Sequence, residues 1–250
     1  MITDIHCHLD LDYYDDLDSI LENAKNNDVG KLIYNGTNIY NNKYVLDIIS
    51  KYDNVYGAIG FHPTELDEVK ESDYEFLERE IQNKKIVAIG EIGLDYHYPD
   101  TDKELQKRHF IRQLELAKKY DIPVIIHSRD AIQDTYDLVK KYKVRGVLHC
   151  YSGSVEMARE FIKLGIYISI GGVVTFNNAK NVIDVIKDID LSYLLVETDS
   201  PYLTPEPYRG KRNEPAYVIY VVKKIAQIRE IDINKLKNIL SSNVFHLFDI

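Results

Sequence analysis

Four histidines and two acidic residues stand where predicted β-strands end, and their types suit the binding of metal ions. They are His6, His8, Glu91, His127, His149 and Asp199. Imidazole nitrogen favours zinc and other transition metals, and carboxylate oxygen also accepts manganese or magnesium. Two such ions, about 3.5–4 Å apart, can activate water and stabilise charge on a phosphoryl or carbonyl group. The residue types therefore predict a site for two divalent cations.

The spacing of the first two histidines supports a shared target. Because side chains alternate along a strand, His6 and His8 project to one face and Cys7 projects to the other. The same alternation turns Cys150 away from His149, and we interpret both thiols as small buried packing residues. One strand histidine is usually an ordinary hydrogen-bonded residue, but six matching side chains at strand ends are hard to attribute to packing.

The elements that position these side chains alternate along the whole chain. Eight runs rich in β-branched residues are predicted as strands: Ile2–His6, Lys31–Asn35, Val55–Gly60, Ile86–Glu91, Pro123–His127, Gly146–His149, Ile166–Ile170 and Leu194–Asp199. Amphipathic helical patterns fill the gaps, and a last helix, Ile233–Phe248, follows the eighth strand. Eight strand–helix units in 250 residues predict an α/β fold, the (β/α)8 TIM barrel, with one extra C-terminal helix.

An open doubly wound sheet is the alternative architecture. No glycine-rich phosphate loop follows the first strand, so a nucleotide-binding fold of that kind gains no support. The sequence has no linker or low-complexity segment, and we expect residues 1–250 to form a single domain. Barrel enzymes build their active sites at the C-terminal ends of the strands, which is where the candidate ligands stand.

Composition limits the class of protein. The formal net charge of −9 argues mildly against an obligate nucleic-acid binder. It does not exclude a nuclease, because bound cations can reverse the local sign of charge. The two cysteines are too few for a disulfide framework, and no signal peptide or membrane-spanning run is present. We therefore expect a cytoplasmic protein with no membrane association and no obligate protein partner.

Short segments around the candidate ligands resemble the sequence motifs of a known enzyme family. They are, in order, Asp-Ile-His-Cys-His-Leu (4–9), Ile-Gly-Phe-His-Pro (59–63), Gly-Glu-Ile-Gly-Leu-Asp-Tyr (90–96), Pro-Val-Ile-Ile-His-Ser-Arg-Asp-Ala (123–131), His-Cys-Tyr-Ser-Gly (149–153) and Glu-Thr-Asp-Ser-Pro-Tyr-Leu-Thr-Pro (197–205). With them the chain resembles the TatD-type metal-dependent deoxyribonucleases, members of the amidohydrolase-like superfamily. The resemblance spans nearly the whole chain.

The resemblance implies an assignment of the six side chains to two cations. His6, His8 and Asp199 hold one cation. His127 and His149 hold the other, and Glu91 bridges the two. The ions would be magnesium, manganese or zinc. Asp199 and Glu91 are the catalytic candidates, and we hypothesise that Asp199 orients the attacking water and accepts its proton.

Further residues are candidates for substrate contact. His62 resembles a family residue near the substrate, although it could merely order its turn. Arg129, Arg209 and Arg212 are candidate phosphate binders, although surface charges are usually only solvated. Asp95 could hydrogen-bond a ligand histidine or could cap a turn.

The resemblance implies a deoxyribonuclease that cleaves phosphodiester bonds with metal-activated water, with exonuclease action from the 3′ end in some members. The substrate would then be DNA, as a single strand or a 3′ end. Related barrels remove D-amino acids from tRNA, so a D-aminoacyl-tRNA deacylase or another ester or amide hydrolase on the same site is the alternative. A third hypothesis is a barrel retained as a binding or scaffold protein, but it would have no reason to keep all six ligands.

Overall fold

The computed structural model describes every residue from Met1 to Ile250. The strands are β1 (Ile2–Cys7), β2 (Val29–Asn35), β3 (Val55–Ile59), β4 (Ile86–Asp95), β5 (Val124–Arg129), β6 (Gly146–Leu148), β7 (Ile166–Ile170) and β8 (Leu194–Val196). The helices are α1 (Leu17–Asn26), α2 (Ile39–Lys51), α3 (Glu71–Glu80), α4 (Lys103–Tyr120), α5 (Ile132–Tyr142), α6 (Val155–Lys163), α7 (Lys180–Asp188), α8 (Val218–Arg229) and α9 (Ile233–Phe248). Three short 3₁₀ helices are Gly172–Thr175, Leu191–Tyr193 and Pro215–Tyr217.

The eight strands form one sheet in chain order, from β1 to β8. The first strand also pairs with the segment that follows the last one. Cys7 forms an isolated parallel β-bridge with Ser200, and the Asp199 N–H donates to the carbonyl oxygen of His6 at 3.0 Å. The architecture is a TIM barrel with an additional C-terminal helix, α9, so the predicted fold class is confirmed.

The chain divides into two compact units. The first unit comprises Met1–Tyr34, His149–Lys163 and Tyr167–Ile250, and it holds β1, all of β7 except Ile166, β8 and the last two helices. The second unit comprises Asn35–Leu148 and Leu164–Ile166, and it holds β3 to β6 with α2 to α5. A single domain over residues 1–250 stays a prediction.

The strands are buried because parallel strands are covered on both faces. All ten residues of β4 are buried, including the polar Glu91 and Asp95. Several helices begin at an aspartate whose carboxylate accepts a backbone N–H, which satisfies a donor that the helix itself leaves unpaired. Asp16 accepts from Ser19 at 3.0 Å and Asp102 accepts from Leu105 at 2.9 Å.

The predicted ends of six strands need correction. β1 ends at Cys7 and β3 ends at Ile59, each only one residue from the predicted end. β4 continues to Asp95, so Glu91 lies inside the strand, and β5 continues to Arg129. β6 ends at Leu148 and β8 ends at Val196, before the candidate ligands that follow them. Cys150 and Asp199 have φ of 45° and 55°, in the left-handed region, so neither β6 nor β8 can continue through these residues.

The last helix is anchored to the end of the barrel sheet by a polar side chain. Asn243 donates from its amide nitrogen to the carbonyl oxygens of Leu191 and Leu194, both at 2.7 Å. This contact ties α9 to the start of β8. Every helix in the structure is too short or too polar to span a bilayer.

Candidate metal centre

Three of the six candidate ligands meet where β1 and β8 end. The Nε2 atoms of His6 and His8 are 3.2 Å apart. The Oδ1 atom of Asp199 lies 3.6 Å from Nε2 of His6 and 3.9 Å from Nε2 of His8. The left-handed backbone of Asp199 turns its carboxylate to this position, and its N–H is held by the carbonyl oxygen of His6. Nitrogen and oxygen donors thus converge on one small volume.

His149, which follows β6, joins this group. Its ring stacks on His6 with centroids 4.0 Å apart and planes at 13°. Ligand atoms of His6, His149 and Asp199 all lie within 4.8 Å of one another. We call His6, His8, His149 and Asp199 the first cluster.

A buried carboxylate, that of Glu197, contacts His149 of the first cluster. Oε1 of Glu197 lies 3.4 Å from Nδ1 of His149 and accepts the N–H of Cys150 at 2.6 Å. Burial alone raises the pKa of Glu197, but hydrogen bonding to His149 and the charges of His149 and His6 outweigh it and lower the pKa below its ordinary value. A carboxylate in this position holds the imidazole in one orientation.

A second buried carboxylate connects the start of the chain to the segment after β8. Asp4 accepts the N–H of Thr198 at 2.9 Å and its hydroxyl at 2.5 Å. Its side chain is inaccessible to solvent, and this burial raises its pKa to about 8. The contact places Thr198, and hence the neighbouring Asp199, against β1.

The remaining ligands lie in the second compact unit. Oε1 of Glu91 is 3.0 Å from Nδ1 of His127, and Oδ2 of Asp95 is 3.1 Å from Nε2 of the same ring. Nε2 of His62 is 3.4 Å from Glu91 Oε1, and the His62 and His127 rings meet edge to face at 4.6 Å. We call His62, Glu91 and His127 the second cluster, because their ligand atoms lie within 4.8 Å of one another.

His62 is held in place by its own turn. Its Nδ1 atom hydrogen-bonds Oγ1 of Thr64 at 2.8 Å, and its N–H donates to the carbonyl oxygen of Thr37 at 2.8 Å. These contacts leave Nε2 directed at Glu91. The structure therefore places this predicted substrate contact among the candidate ligands of the second cluster.

The close pairing of β4 and β5 positions Glu91 and His127. Gly93 lies opposite His127 in the strand register and has φ of 145°. A Cβ atom at Gly93 would overlap the carbonyl oxygen of His127. Glycine is therefore required where the two ligand-bearing strands approach each other.

The three arginines are exposed and contact neither cluster directly. The Arg129 guanidinium lies 5.8 Å from the Tyr98 ring centre, and that of Arg209 lies 3.6 Å from the Phe176 ring centre. Arg212 lies 4.9 Å from the Tyr14 ring centre and donates to the carbonyl oxygen of Tyr13. The contacts of the three arginines with these aromatic rings stabilise the surface loops that carry them.

Sequence reasoning assigned no role to Asp4, Glu197 and Gly93. The signal for the two acids was present, because a carboxylate in an apolar strand segment needs a partner when it is buried. Strand alternation was the wrong basis for orienting Cys150, because β6 ends at Leu148. Cys150 is only half-buried, whereas Cys7 is fully buried as predicted.

The donor chemistry of both clusters fits divalent cations. In each cluster imidazole nitrogens and carboxylate oxygens approach one another closely, an arrangement that a cation satisfies better than mutual hydrogen bonds do. The first cluster offers three imidazoles and one carboxylate, and the second offers two imidazoles and one carboxylate.

The chain is similar to known proteins over its full length. Residues 3–249 match the family model described as TatD related DNase. The chain is 42% identical over its full length, and over the full length of the relative, to YabD of Bacillus subtilis, an uncharacterized metal-dependent hydrolase. YcfH of Escherichia coli, with the same description, is 38% identical over 100% of this chain and 96% of its own.

A solved structure is also similar over its whole length. The TatD homologue YjjV of Escherichia coli superimposes with a TM-score of 0.94 at 33% identity. The superposition covers 100% of this chain and 98% of that one.

Proposed function

The chain belongs to the TatD related DNase family of metal-dependent hydrolases, and on that premise we propose that it is a deoxyribonuclease that hydrolyses phosphodiester bonds with two bound divalent cations. The observation that carries the proposal is the convergence of imidazole and carboxylate donors in the two clusters. Glu91 and His127 lie within the C-terminal halves of β4 and β5, and the other donors lie at or beyond the C-terminal ends of their strands, where this fold carries out its chemistry.

The proposal keeps the ligand assignment that the resemblance implies. His6, His8 and Asp199 would hold one cation, His127 and His149 would hold the other, and Glu91 would contribute its carboxylate to both. Bound cations supply acidified water and positive charge for the phosphate. Magnesium, manganese and zinc all suit this set of nitrogen and oxygen ligands.

Asp199 is the proton acceptor in this proposal. Its side chain keeps 14% of its surface exposed, whereas that of Glu197 is fully buried, so Asp199 can reach a water molecule that enters from solvent. The carboxylate orients the attacking water and takes its proton. Glu197 and Asp95 hold the rings of His149 and His127 in fixed orientations.

His62 is the candidate hydrogen-bond donor to the substrate. Its side chain keeps 14% of its surface exposed, and Nδ1 is occupied by Thr64, so Nε2 is the atom that faces Glu91 and the substrate side. Donation to a phosphate oxygen or to the leaving group fits this geometry.

The experiment is an activity screen of metal-stripped protein reloaded with magnesium, manganese or zinc. The substrates are end-labelled single- and double-stranded oligonucleotides and D-aminoacyl-tRNA. We expect DNA cleavage that a chelator abolishes and added metal restores. Cleavage of the aminoacyl ester alone would replace the nuclease by the deacylase, and indifference to every divalent ion would leave a scaffold protein.

A pair of variants tests the proton acceptor. Asp199→Ala should lose nearly all hydrolysis while its circular dichroism spectrum and unfolding transition stay native. Asp137→Ala, which removes an exposed carboxylate from α5, should retain full activity. Substantial turnover by Asp199→Ala would contradict the role of Asp199.

A further inference from the structure

A half-exposed aromatic ring lies beside the first cluster. Tyr202 keeps 49% of its surface in contact with solvent, although it stands three residues after Asp199. Its ring approaches the His8 ring at 67°, with centroids 6.2 Å apart. An aromatic side chain beside candidate ligands, with much of its surface uncovered, is available to a substrate.

The position of Tyr202 is fixed by contacts at three points. Its N–H donates to the carbonyl oxygen of Asp199 at 2.8 Å, and its carbonyl oxygen accepts from Asn213 at 2.6 Å. Its hydroxyl hydrogen-bonds that of Tyr13 at 2.7 Å. A ring held in this way loses little conformational freedom when a partner stacks on it.

The residue that follows Tyr202 also exposes an apolar side chain. Leu203 is 36% exposed and has φ of 50°, a strained conformation for a branched aliphatic residue. We call Tyr13, Tyr202 and Leu203 the aromatic platform.

The charges near the platform identify the part of a substrate that it can receive. Asp12, Asp15 and Asp16 are exposed in the loop that carries Tyr13, and they would repel a phosphate placed directly on the platform. Arg212 donates to the carbonyl oxygen of Tyr13, so a cation for a flanking phosphate stands in the same pair of loops. A neutral, planar group fits the platform, and charged phosphates fit its border.

We propose that Tyr202 stacks against the nucleobase next to the scissile bond. The inference rests on the proposed function, since the base belongs to the nucleic acid whose ester is cleaved. Stacking on an aromatic side chain accepts every base, because each has a π-face. A base paired within a duplex is already stacked, so the platform selects an unpaired nucleotide, as in a single strand or a frayed 3′ end.

The test compares oligonucleotides with and without a base at the residue next to the cleaved bond. For the wild-type protein, replacing that nucleotide by an abasic residue should raise KM about tenfold. Tyr202→Leu, which keeps apolar bulk but loses the ring, should raise KM for the normal strand by a similar factor and no longer distinguish the two strands. Tyr202→Phe should still distinguish them.

A control variant separates this effect from a general loss of exposed aromatic surface. Phe245→Leu removes a 57% exposed ring from α9, and it should distinguish the two strands as the wild type does. A wild-type protein that treats normal and abasic strands alike would overturn the proposal. So would a Tyr202→Leu variant that still distinguishes them.

A binding measurement separates failure of the platform from failure of the proposed nuclease. Calorimetry with deoxyadenosine monophosphate and with 2-deoxyribose 5-phosphate needs no hydrolysis, and the wild type should bind the first about tenfold more tightly. Loss of this preference in Tyr202→Leu supports the platform even if no DNA is cleaved. If no DNA is cleaved, the base that stacks on Tyr202 would be the terminal adenosine of tRNA, the substrate of the alternative deacylase. Equal binding of both compounds overturns the platform whatever the enzyme cleaves.

Discussion

Asp4 and Thr198, which are 194 residues apart in the sequence, are joined by two hydrogen bonds in the interior of the protein. Both donors come from Thr198, and the Asp4 carboxylate accepts them. The Thr198 hydroxyl in turn accepts the N–H of Ser200 at 3.1 Å. Because Asp199 lies between Thr198 and Ser200, these contacts determine where the Asp199 carboxylate points.

Removing the Thr198 hydroxyl should therefore destabilise the protein. Thr198→Val keeps the shape of the side chain but leaves the buried Asp4 carboxylate with one donor fewer, at a cost of about 1–3 kcal/mol. Urea unfolding measures the loss. Thr198→Ser restores the hydroxyl and should recover most of it, whereas equal stability of all three proteins would mean that the hydrogen bond adds nothing.

The contact between Glu197 and His149 should govern cation affinity. Glu197→Gln keeps an oxygen for the Cys150 N–H but removes the negative charge beside the imidazole, so affinity should fall by about 10–100-fold. Calorimetric titration of metal-stripped protein measures it. Glu214→Gln removes a carboxylate that hydrogen-bonds Asn23 instead, and it should bind cations normally. An unchanged affinity in Glu197→Gln would show that His149 needs no orienting partner.

A side chain at Gly93 should disrupt the second cluster. Gly93→Ala forces apart the backbones of β4 and β5, which carry Glu91 and His127, and should destabilise the protein by at least about 3 kcal/mol. Gly165 also has a positive φ, 81°, but a Cβ atom there would have no other atom within 4 Å. Gly165→Ala should therefore destabilise the protein by only about 1–2 kcal/mol. Chemical unfolding of both variants separates the clash from the backbone preference, and equal losses would contradict the clash.

His109 should make stability depend on pH. Burial, and then the charges of Arg108 and Arg112, lower its pKa below the ordinary value of 6.5, and its Nδ1 hydrogen-bonds the Tyr74 hydroxyl at 2.8 Å. As pH falls below 6.5, the unfolded chain binds a proton that the folded protein resists, so stability decreases. Thermal unfolding of His109→Gln should show a shallower decrease than that of the wild type. If stability depended on pH equally in the two proteins, His109 would not be the source of the pH dependence.

The arginines of the loop after β8 should affect DNA binding through charge. If Arg209 contacts a phosphate, Arg209→Ala should reduce the slope of log affinity against log salt concentration by about 0.7 for a single strand. Arg159→Ala, which breaks an ion pair with Asp188 on another surface, should leave the slope unchanged. The same slope in all three proteins would restrict Arg209 to packing over Phe176.

The sequence by itself determined the order of the elements and the chemical type of the site. Alternating β-branched and amphipathic segments depend on local periodicity, so the barrel class and the bounds of α9 were predictable. The donor residues were recognisable because polar side chains within or just after apolar strands have no packing reason to be there.

Only the tertiary structure decided how the donors are supported and what surrounds them. Local pattern could not pair Asp4 with Thr198, Glu197 with His149 or Tyr13 with Tyr202, because each contact joins residues that are distant in sequence. Nor could it show that left-handed backbone at Cys150 and Asp199 would end the strands early. Such features depend on which segments the closed sheet brings together, and periodicity within one segment carries no information about that.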